Sequence, residues 1–121
     1  MTTKEIKDFE SLLKSKGYAY YNQCLSSNEN YVYGKSFDIT YDEDGDRNIG
    51  YQVLFRFWDW RKFGKKGLYE FSLDVAVLVS QEHRTDLVLG QEEYDIEKIE
   101  QIAEGFYEFC KKYIPGCAKA K

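Results

Sequence analysis

Residues 68–80 read LYEFSLDVAVLVS and alternate more regularly than any other part of this sequence. Apolar side chains recur at every second position from Tyr69 to Val79, with Glu70 and Asp74 between them. A period of two is that of a β-strand with one face against a core and the other against water. The stretch therefore predicts a half-buried strand of an antiparallel sheet, because strands of parallel sheets are apolar on both faces.

Four further stretches have the composition of strands and are separated by turn residues: 18–25, 31–41, 49–58 and 85–90. The Asp44-Gly45 pair between the second and third stretches is typical of a hairpin turn. The connections are too short for parallel crossovers, so the strands are expected to form an antiparallel meander. Lys35 interrupts the apolar row of its strand, which predicts a bulge or an exposed stretch there.

Two stretches with helical spacing enclose the strands, residues 3–16 and 95–114. Asp95 is suited to cap the second helix, and Gly17 to end the first. The first helix has its apolar face at Ile6, Phe9, Leu12 and Leu13. The second has a wider apolar stripe, formed by Ile96, Ile99, Ile102, Ala103, Phe106, Phe109, Cys110 and Tyr113.

These elements predict an α+β domain in the order α-β-β-β-β-β-α. Because neither helix can leave its apolar face in water, both should cover one face of the sheet in a two-layer sandwich with a five-stranded antiparallel meander. Residues 1–121 contain no repeat and no linker, which predicts a single domain with a frayed tail at about 116–121. The pattern leaves open whether the sheet is open or curls into a half-barrel around the second helix.

Composition excludes several classes of protein. The 121 residues are 43% hydrophobic and 17% aromatic, which excludes extensive disorder, and the net charge of −4 argues against a generally basic nucleic-acid binder. Three cysteines without a CxxC pair favour neither a disulfide framework nor a zinc site. The N-terminus lacks a signal-like apolar region, and no apolar run reaches the ~20 residues that cross a bilayer. We therefore expect a cytoplasmic protein that does not enter the membrane.

The sequence contains no recognisable catalytic, cofactor or metal motif. The one histidine, His83, lies in a stretch with turn composition and has no evident nucleophile beside it. Asp42, Asp44 and Asp46 have the spacing of a calcium loop, but Arg47 and Val53 occupy the positions that require glycine and glutamate. Residues 64–67, GKKG, lack the spacing of a phosphate loop. The sequence thus favours a non-enzymatic protein with no cofactor.

Residues 56–67 read RFWDWRKFGKKG and hold both tryptophans, five basic residues and one acid. Their charge is +4, so the rest of the chain carries −8. If Tyr51 and Val53 face the core, alternation places alternate residues from Arg56 onward on the open face. Aromatic rings beside cations are typical of protein and nucleic-acid contacts. The predicted binding residues are Arg56, Trp58, Trp60, Arg61, Lys62, Lys65 and Lys66.

The leading functional hypothesis is a small adaptor or binding domain that contacts a protein partner through this aromatic-basic patch. One alternative is single-stranded nucleic-acid binding on the open sheet face, and another is a small-ligand binder or enzyme with a pocket between helices and sheet. A structural alternative also exists, in which the tryptophans cap the core and the lysines only add solubility. Leu54, Ala76 and Leu78 are expected on the open face as well, where a homodimer would bury them.

Overall fold

The computed structural model describes residues 3–21, 30–59, 71–79, 83–87 and 95–113. The strands pair in chain order, each antiparallel to its neighbour. The predicted α+β class is confirmed. The strands of the antiparallel sheet follow an N-terminal helix in the chain and precede a C-terminal helix. The elements are α1 (Thr3–Ser15), β1 (Ala19–Tyr21), β2 (Asn30–Tyr41), β3 (Arg47–Asp59), β4 (Phe71–Val79), β5 (His83–Leu87) and α2 (Ile96–Tyr113).

The strands differ widely in length. β2 to β5 are four strands of five residues or more, whereas β1 is a three-residue edge segment. The predicted first strand, 18–25, began too early, because Tyr18 precedes β1; its residues 22–25 lie outside the described part. The predicted fifth strand, 85–90, began two residues too late, because His83 and Arg84 already pair with Val79 and Leu78.

The core lies between one face of the sheet and both helices. Phe9 of α1 and Tyr18 meet Phe55 of β3 edge to face, with ring centroids 5.7 and 5.2 Å apart. The predicted inward rows are confirmed from Tyr51 to Phe57 in β3 and from Leu73 to Val79 in β4, and the side chains of Tyr69 and Phe71 lie outside the described part. The buried cluster takes Tyr51, Val53, Phe55 and Phe57 from β3, Leu73, Val75, Val77 and Val79 from β4, and side chains of both helices, including Ile6, Leu13, Ile99 and Ala103.

The buried face of α2 is narrower than predicted. Ile102, Phe109 and Tyr113 were expected in the apolar stripe, but 49%, 54% and 60% of their surfaces are exposed. Tyr107 was not expected there, yet it is buried. A helix lying on a sheet covers one stripe of its circumference, and apolar residues beside that stripe stay in water. The residues that α2 buries are Ile96, Ile99, Ala103, Tyr107 and Cys110.

Both predicted helix ends have the expected geometry. Asp95 Oδ1 accepts the backbone N–H groups of Glu97 and Lys98 at 3.0 and 3.3 Å, which caps α2. Gly17 takes a φ of +91° after α1, where a side chain would be strained. The backbone N–H of Tyr18 then reaches back to the carbonyl oxygen of α1 residue Leu13 at 3.0 Å, as in a Schellman motif.

Lys35 forms neither a bulge nor an exposed stretch, so that prediction was wrong. It pairs in register with Val53 and is half-buried. Its Nζ donates to the carbonyl oxygen of Lys16 at 2.9 Å and lies 5.6 and 5.2 Å from the ring centroids of Tyr18 and Phe37. The long side chain thus buries its aliphatic part while its charge meets the negative end of α1.

Gly50 allows a close approach between β2, β3 and α2. Asp38, which lies across from it between the pairs Phe37–Tyr51 and Ile39–Ile49, has a φ of +54°. Its carboxylate accepts the hydroxyl of Tyr107 at 2.6 Å. A Cβ on Gly50 would lie 2.7 Å from both Asp38 Cβ and the Tyr107 hydroxyl oxygen, closer than atoms pack without displacement.

Replacing this glycine should destabilise the protein. We expect Gly50→Ala to lower the free energy of unfolding by about 2 kcal/mol, because backbone and Tyr107 must both move. Gly105→Ala is the matched control: its Cβ would meet nothing within 4 Å, and alanine should stabilise α2 by about 0.5–1 kcal/mol. Urea denaturation of both variants measures the difference, and equal effects would contradict the predicted clash.

Candidate functional site

Arg56 and Trp58, two of the seven predicted binding residues, lie on β3 and are half-buried. They belong to the row of β3 that alternates with the core row, so they stand on the sheet face opposite the helices. We call this the outer face. The other five predicted residues lie outside the described part of the chain: Trp60, Arg61, Lys62, Lys65 and Lys66.

One carboxylate joins the two described residues. Asp74 of β4 lies directly across from Arg56, whose Nε donates to Asp74 Oδ1 at 2.5 Å. The indole N–H of Trp58 donates to the other carboxylate oxygen at 3.1 Å. The Arg56 and Asp74 side chains keep only 16% and 18% of their surfaces exposed. The pair balances its own charge, and the indole ring is held in one orientation.

Asp74 was missed as part of the site because the sequence favours a solvated surface charge at this position. Alternation places it on the same face as Ser72, but it gives no information about the partner strand. The deciding information is the register of β3 against β4, which sets Asp74 opposite Arg56. A cross-strand pair of opposite charge then becomes the natural arrangement.

The outer face is less exposed than predicted. Leu54 and Ala76 were expected to be open to a second copy, yet only 8% and 0% of their surfaces are exposed in a single chain. They form a second buried cluster with Val32, and Leu78 packs against it. Leu54 lies opposite Ala76 in the register, and its contacts with Ala76 and Val32 contribute to this burial.

Removing the shared carboxylate should cost stability. We expect Asp74→Ala to lower the free energy of unfolding by about 1–3 kcal/mol, because a half-buried guanidinium and an indole N–H both lose this acceptor. Asp8→Ala is the control: it removes an exposed partner of Lys4, 3.1 Å away, and should change stability by less than about 0.5 kcal/mol. Chemical denaturation at one pH compares them; similar losses would contradict the assigned role.

A second group of polar contacts lies where the helices meet the sheet. In each, a tyrosine with a buried ring donates its hydroxyl to a carboxylate on another element, at 2.6 to 2.7 Å. These bonds satisfy polar atoms at the edge of the core, so their first role is structural. The pairs are Tyr18 with Glu100, Tyr33 with Glu10, and Tyr107 with Asp38.

Three rings stack beside these contacts. The Tyr51 ring lies between Phe37, at 4.9 Å and nearly parallel, and Tyr107, at 4.7 Å. Lys35 Nζ lies over the Phe37 ring at 5.2 Å, and Lys111 Nζ lies over the Tyr107 ring at 4.4 Å. A cation therefore stands at each end of the stack, where the electron-rich faces of the rings attract it.

Burial raises the pKa of the Tyr18 hydroxyl far above its ordinary value, and the hydrogen bond to Glu100 raises it further. Burial and the bond to Asp38 act in the same direction on the pKa of Tyr107. The pKa of Tyr51 is also raised, first by burial and then by the charge of Glu104. The folded chain therefore keeps these three phenols protonated to higher pH than the unfolded chain does.

These raised values predict alkaline instability. Above about pH 10 the unfolded chain releases protons that the folded chain retains, so the free energy of unfolding should fall as pH rises further. Tyrosinate absorbance should show late-titrating groups in the native protein that vanish in urea. Tyr107→Phe should remove one of them. Identical titrations in native and urea solutions would refute this.

The acidic turn between β2 and β3 has the geometry of a hairpin loop. Gly45 has a φ of +81°, and its N–H donates to the Asp42 carbonyl at 3.0 Å, which confirms the predicted turn. Asp42, Asp44 and Asp46 are exposed, and their carboxylate oxygens lie within 4.8 Å of one another. Asp42 Oδ1 already accepts the N–H groups of Asp44 and Asp46, at 2.9 and 2.8 Å.

The sequence analysis also singled out one histidine and three cysteines. The backbone of His83 lies in β5 rather than in a turn. Cys110 is buried in α2, and Cys24 and Cys117 fall outside the described residues. Neither described helix has the length and apolar character needed to span a bilayer.

Comparison with protein-family models, curated proteins and solved structures finds no match to this chain.

Proposed function

We propose that this protein is a non-enzymatic adaptor or binding domain that contacts a protein partner through its outer face. The observation that carries the proposal is the bonding of Arg56 and Trp58 to a single carboxylate, that of Asp74. A half-buried indole held in one orientation loses little entropy when a partner covers it, and tryptophan and arginine are the residues that most often dominate protein contacts.

The charge of the site favours protein over nucleic acid. A phosphate contact needs a cation whose charge is not already balanced, whereas the Arg56 charge is paired with that of Asp74, which its Nε meets at 2.5 Å. The whole chain carries −4, which adds repulsion at long range. Single-stranded nucleic acid thus remains the alternative that this geometry favours less.

The proposal includes the five predicted residues outside the described part: Trp60, Arg61, Lys62, Lys65 and Lys66. They follow Trp58 closely in the sequence and supply its neighbourhood with four cations and a second indole. In this proposal the tryptophans supply area that loses water on binding, and the lysines and Arg61 set the orientation of an acidic partner.

The proposed architecture is a two-layer sandwich whose five-stranded sheet leaves one face free of helices. Support comes from the single core cluster that both helices share with one row of β3 and one row of β4. A homodimer on the outer face is a weaker proposal. Of the three apolar residues that it was expected to bury, Leu54, Ala76 and Leu78, only Leu78 is partly exposed. We also propose a cytoplasmic location, which the sequence supports through its three cysteines without a CxxC pair.

The alternative of a ligand pocket between helices and sheet has less support. The tyrosine hydroxyls and carboxylates that would line such a pocket donate to and accept from one another, as the Tyr18–Glu100 and Tyr107–Asp38 bonds illustrate. A ligand would have to break these bonds before it could use the same atoms.

Fluorescence quenching tests whether the site is accessible. In the Trp60→Phe variant, Trp58 is the single fluorophore of its kind, and acrylamide should quench it partly in the native state and fully in urea. Native emission that acrylamide leaves unchanged would eliminate the outer face as a contact surface.

Site-specific photo-crosslinking tests the function itself. A photoreactive residue at Trp58 should capture one discrete protein in the native cell, whereas the same residue at Gln101, exposed on α2, should not. Lys65→Glu with Lys66→Glu should reduce the captured product about tenfold, because an acidic partner is then repelled. Capture at both positions alike would contradict the proposal, as would capture that the charge reversal leaves unchanged. Retention on mixed single-stranded DNA at about 50 mM salt would favour the nucleic-acid alternative instead.

A further inference from the structure

The hairpin that joins β2 and β3 extends beyond the rest of the described sheet. β1 pairs with β2 only at residues 32–34, and β4 pairs with β3 only from Tyr51 onward. Residues 38–50, which we call the hairpin arm, therefore form a two-stranded ribbon with no described strand on either side. On the β1 side, the chain before Ala19 is the turn at Gly17 and then α1, so it contributes no strand there either.

The outer edge of β2 in this arm presents backbone groups for pairing. Asp42 N–H donates to the Asp46 carbonyl at 3.0 Å, so Asp42 and Asp46 face each other across the ladder. Because such pairs alternate along antiparallel strands, the N–H and C=O groups of Tyr41 and Ile39 point away from β3.

The side chains of the arm are those of a strand with unfinished packing. Ile39 and Ile49 lie directly across from each other, and 39% and 38% of their surfaces are exposed. Tyr41 is 67% exposed. Proteins usually protect a free edge with proline, lysine or a bulge, and at residues 39–41 this edge has Ile-Thr-Tyr instead. An exposed edge with β-branched and aromatic side chains is a template for strand addition.

Charge decides which strand fits. The arm contains five acids and one base, a net charge of −4 over residues 38–50. Two such arms placed side by side would repel, which disfavours a second copy of this chain as the occupant. A segment with lysine or arginine would instead be attracted to Asp42, Glu43 and Asp44 at the exposed end of the arm.

We propose that the hairpin arm binds an extended, basic segment of a partner protein, which adds as a strand along the outer edge of β2 at residues 39–41. Main-chain hydrogen bonds to Ile39 and Tyr41 provide the pairing, and apolar side chains of the segment cover the exposed isoleucines. This surface is separate from the outer-face site around Trp58, so either can fail without the other.

The test uses the full-length chain labelled with ¹⁵N and a capped peptide of about eight residues that alternates lysine and valine. Saturating peptide should slow hydrogen exchange at the Ile39 and Tyr41 amides about tenfold and leave exchange of core amides in β3 unchanged. A peptide with glutamate in place of lysine should have no effect. Unchanged exchange at both arm amides would overturn the proposal, as would equal protection by the glutamate peptide.

Two sets of variants separate pairing from charge. Tyr41→Pro removes one outward N–H at a position where proline fits an edge, and should abolish protection, whereas Tyr41→Val should preserve it. Glu43→Gln with Asp44→Asn removes two exposed charges and should weaken peptide binding about three- to tenfold. If Tyr41→Pro fails to fold, this charge variant decides, and unchanged affinity refutes the proposal. A further outcome is that light scattering detects dimers of the unmodified chain that the Tyr41→Pro variant does not form. That result would assign the edge to a second copy of this chain and would also refute the proposal.

Discussion

The fold depends on the register of β3, which pairs with β2 on one side and β4 on the other. Its alternation sends Val53, Phe55 and Phe57 beneath the helices, where they are fully buried. Each of these side chains contributes about 1.5–3 kcal/mol by leaving water. A slip of one residue would exchange them with Leu54, Arg56 and Trp58 and place a guanidinium in the core. The same register therefore determines both the core and the outer-face site.

Tyrosines at the edge of this core connect the apolar interior to the carboxylates at its boundary. Among the described residues, no polar or charged residue is buried, although the chain is rich in carboxylates. The tyrosines bring large rings into the apolar interior while their hydroxyls reach carboxylates at the wet boundary. Tyr33 joins β2 to α1 in this way, and Tyr107 joins α2 to β2. Each helix is thus held to the sheet by directional bonds as well as by apolar contact, which fixes how it lies on the sheet.

Features that depend on local periodicity were predictable from the sequence, and features that depend on register were not. The inward rows of β3 and β4, the cap at Asp95 and the stop at Gly17 follow from spacing and backbone preference within a few residues. Asp74 opposite Arg56, by contrast, depends on how two strands align. The positive φ of Asp38 depends on a neighbouring strand that has a glycine and on a helix that brings Tyr107 to the same point. Sequence periodicity also overstated the buried width of α2, because it reports which residues share a side and not how far a neighbouring surface extends.

The distribution of burial limits where this chain can bind anything. One sheet face is already used by the two helices, and its polar atoms are paired with one another. On the outer face, Asp74 fixes the half-buried indole of Trp58 and balances the charge of Arg56, while the hairpin arm has an excess of acid and an edge of β2 along which no described strand lies. A preoriented indole favours a partner that fits its shape, and an acidic strand edge favours a partner of opposite charge in an extended conformation. Because the two proposed surfaces select by different physics, a partner that fits one of them would not compete for the other.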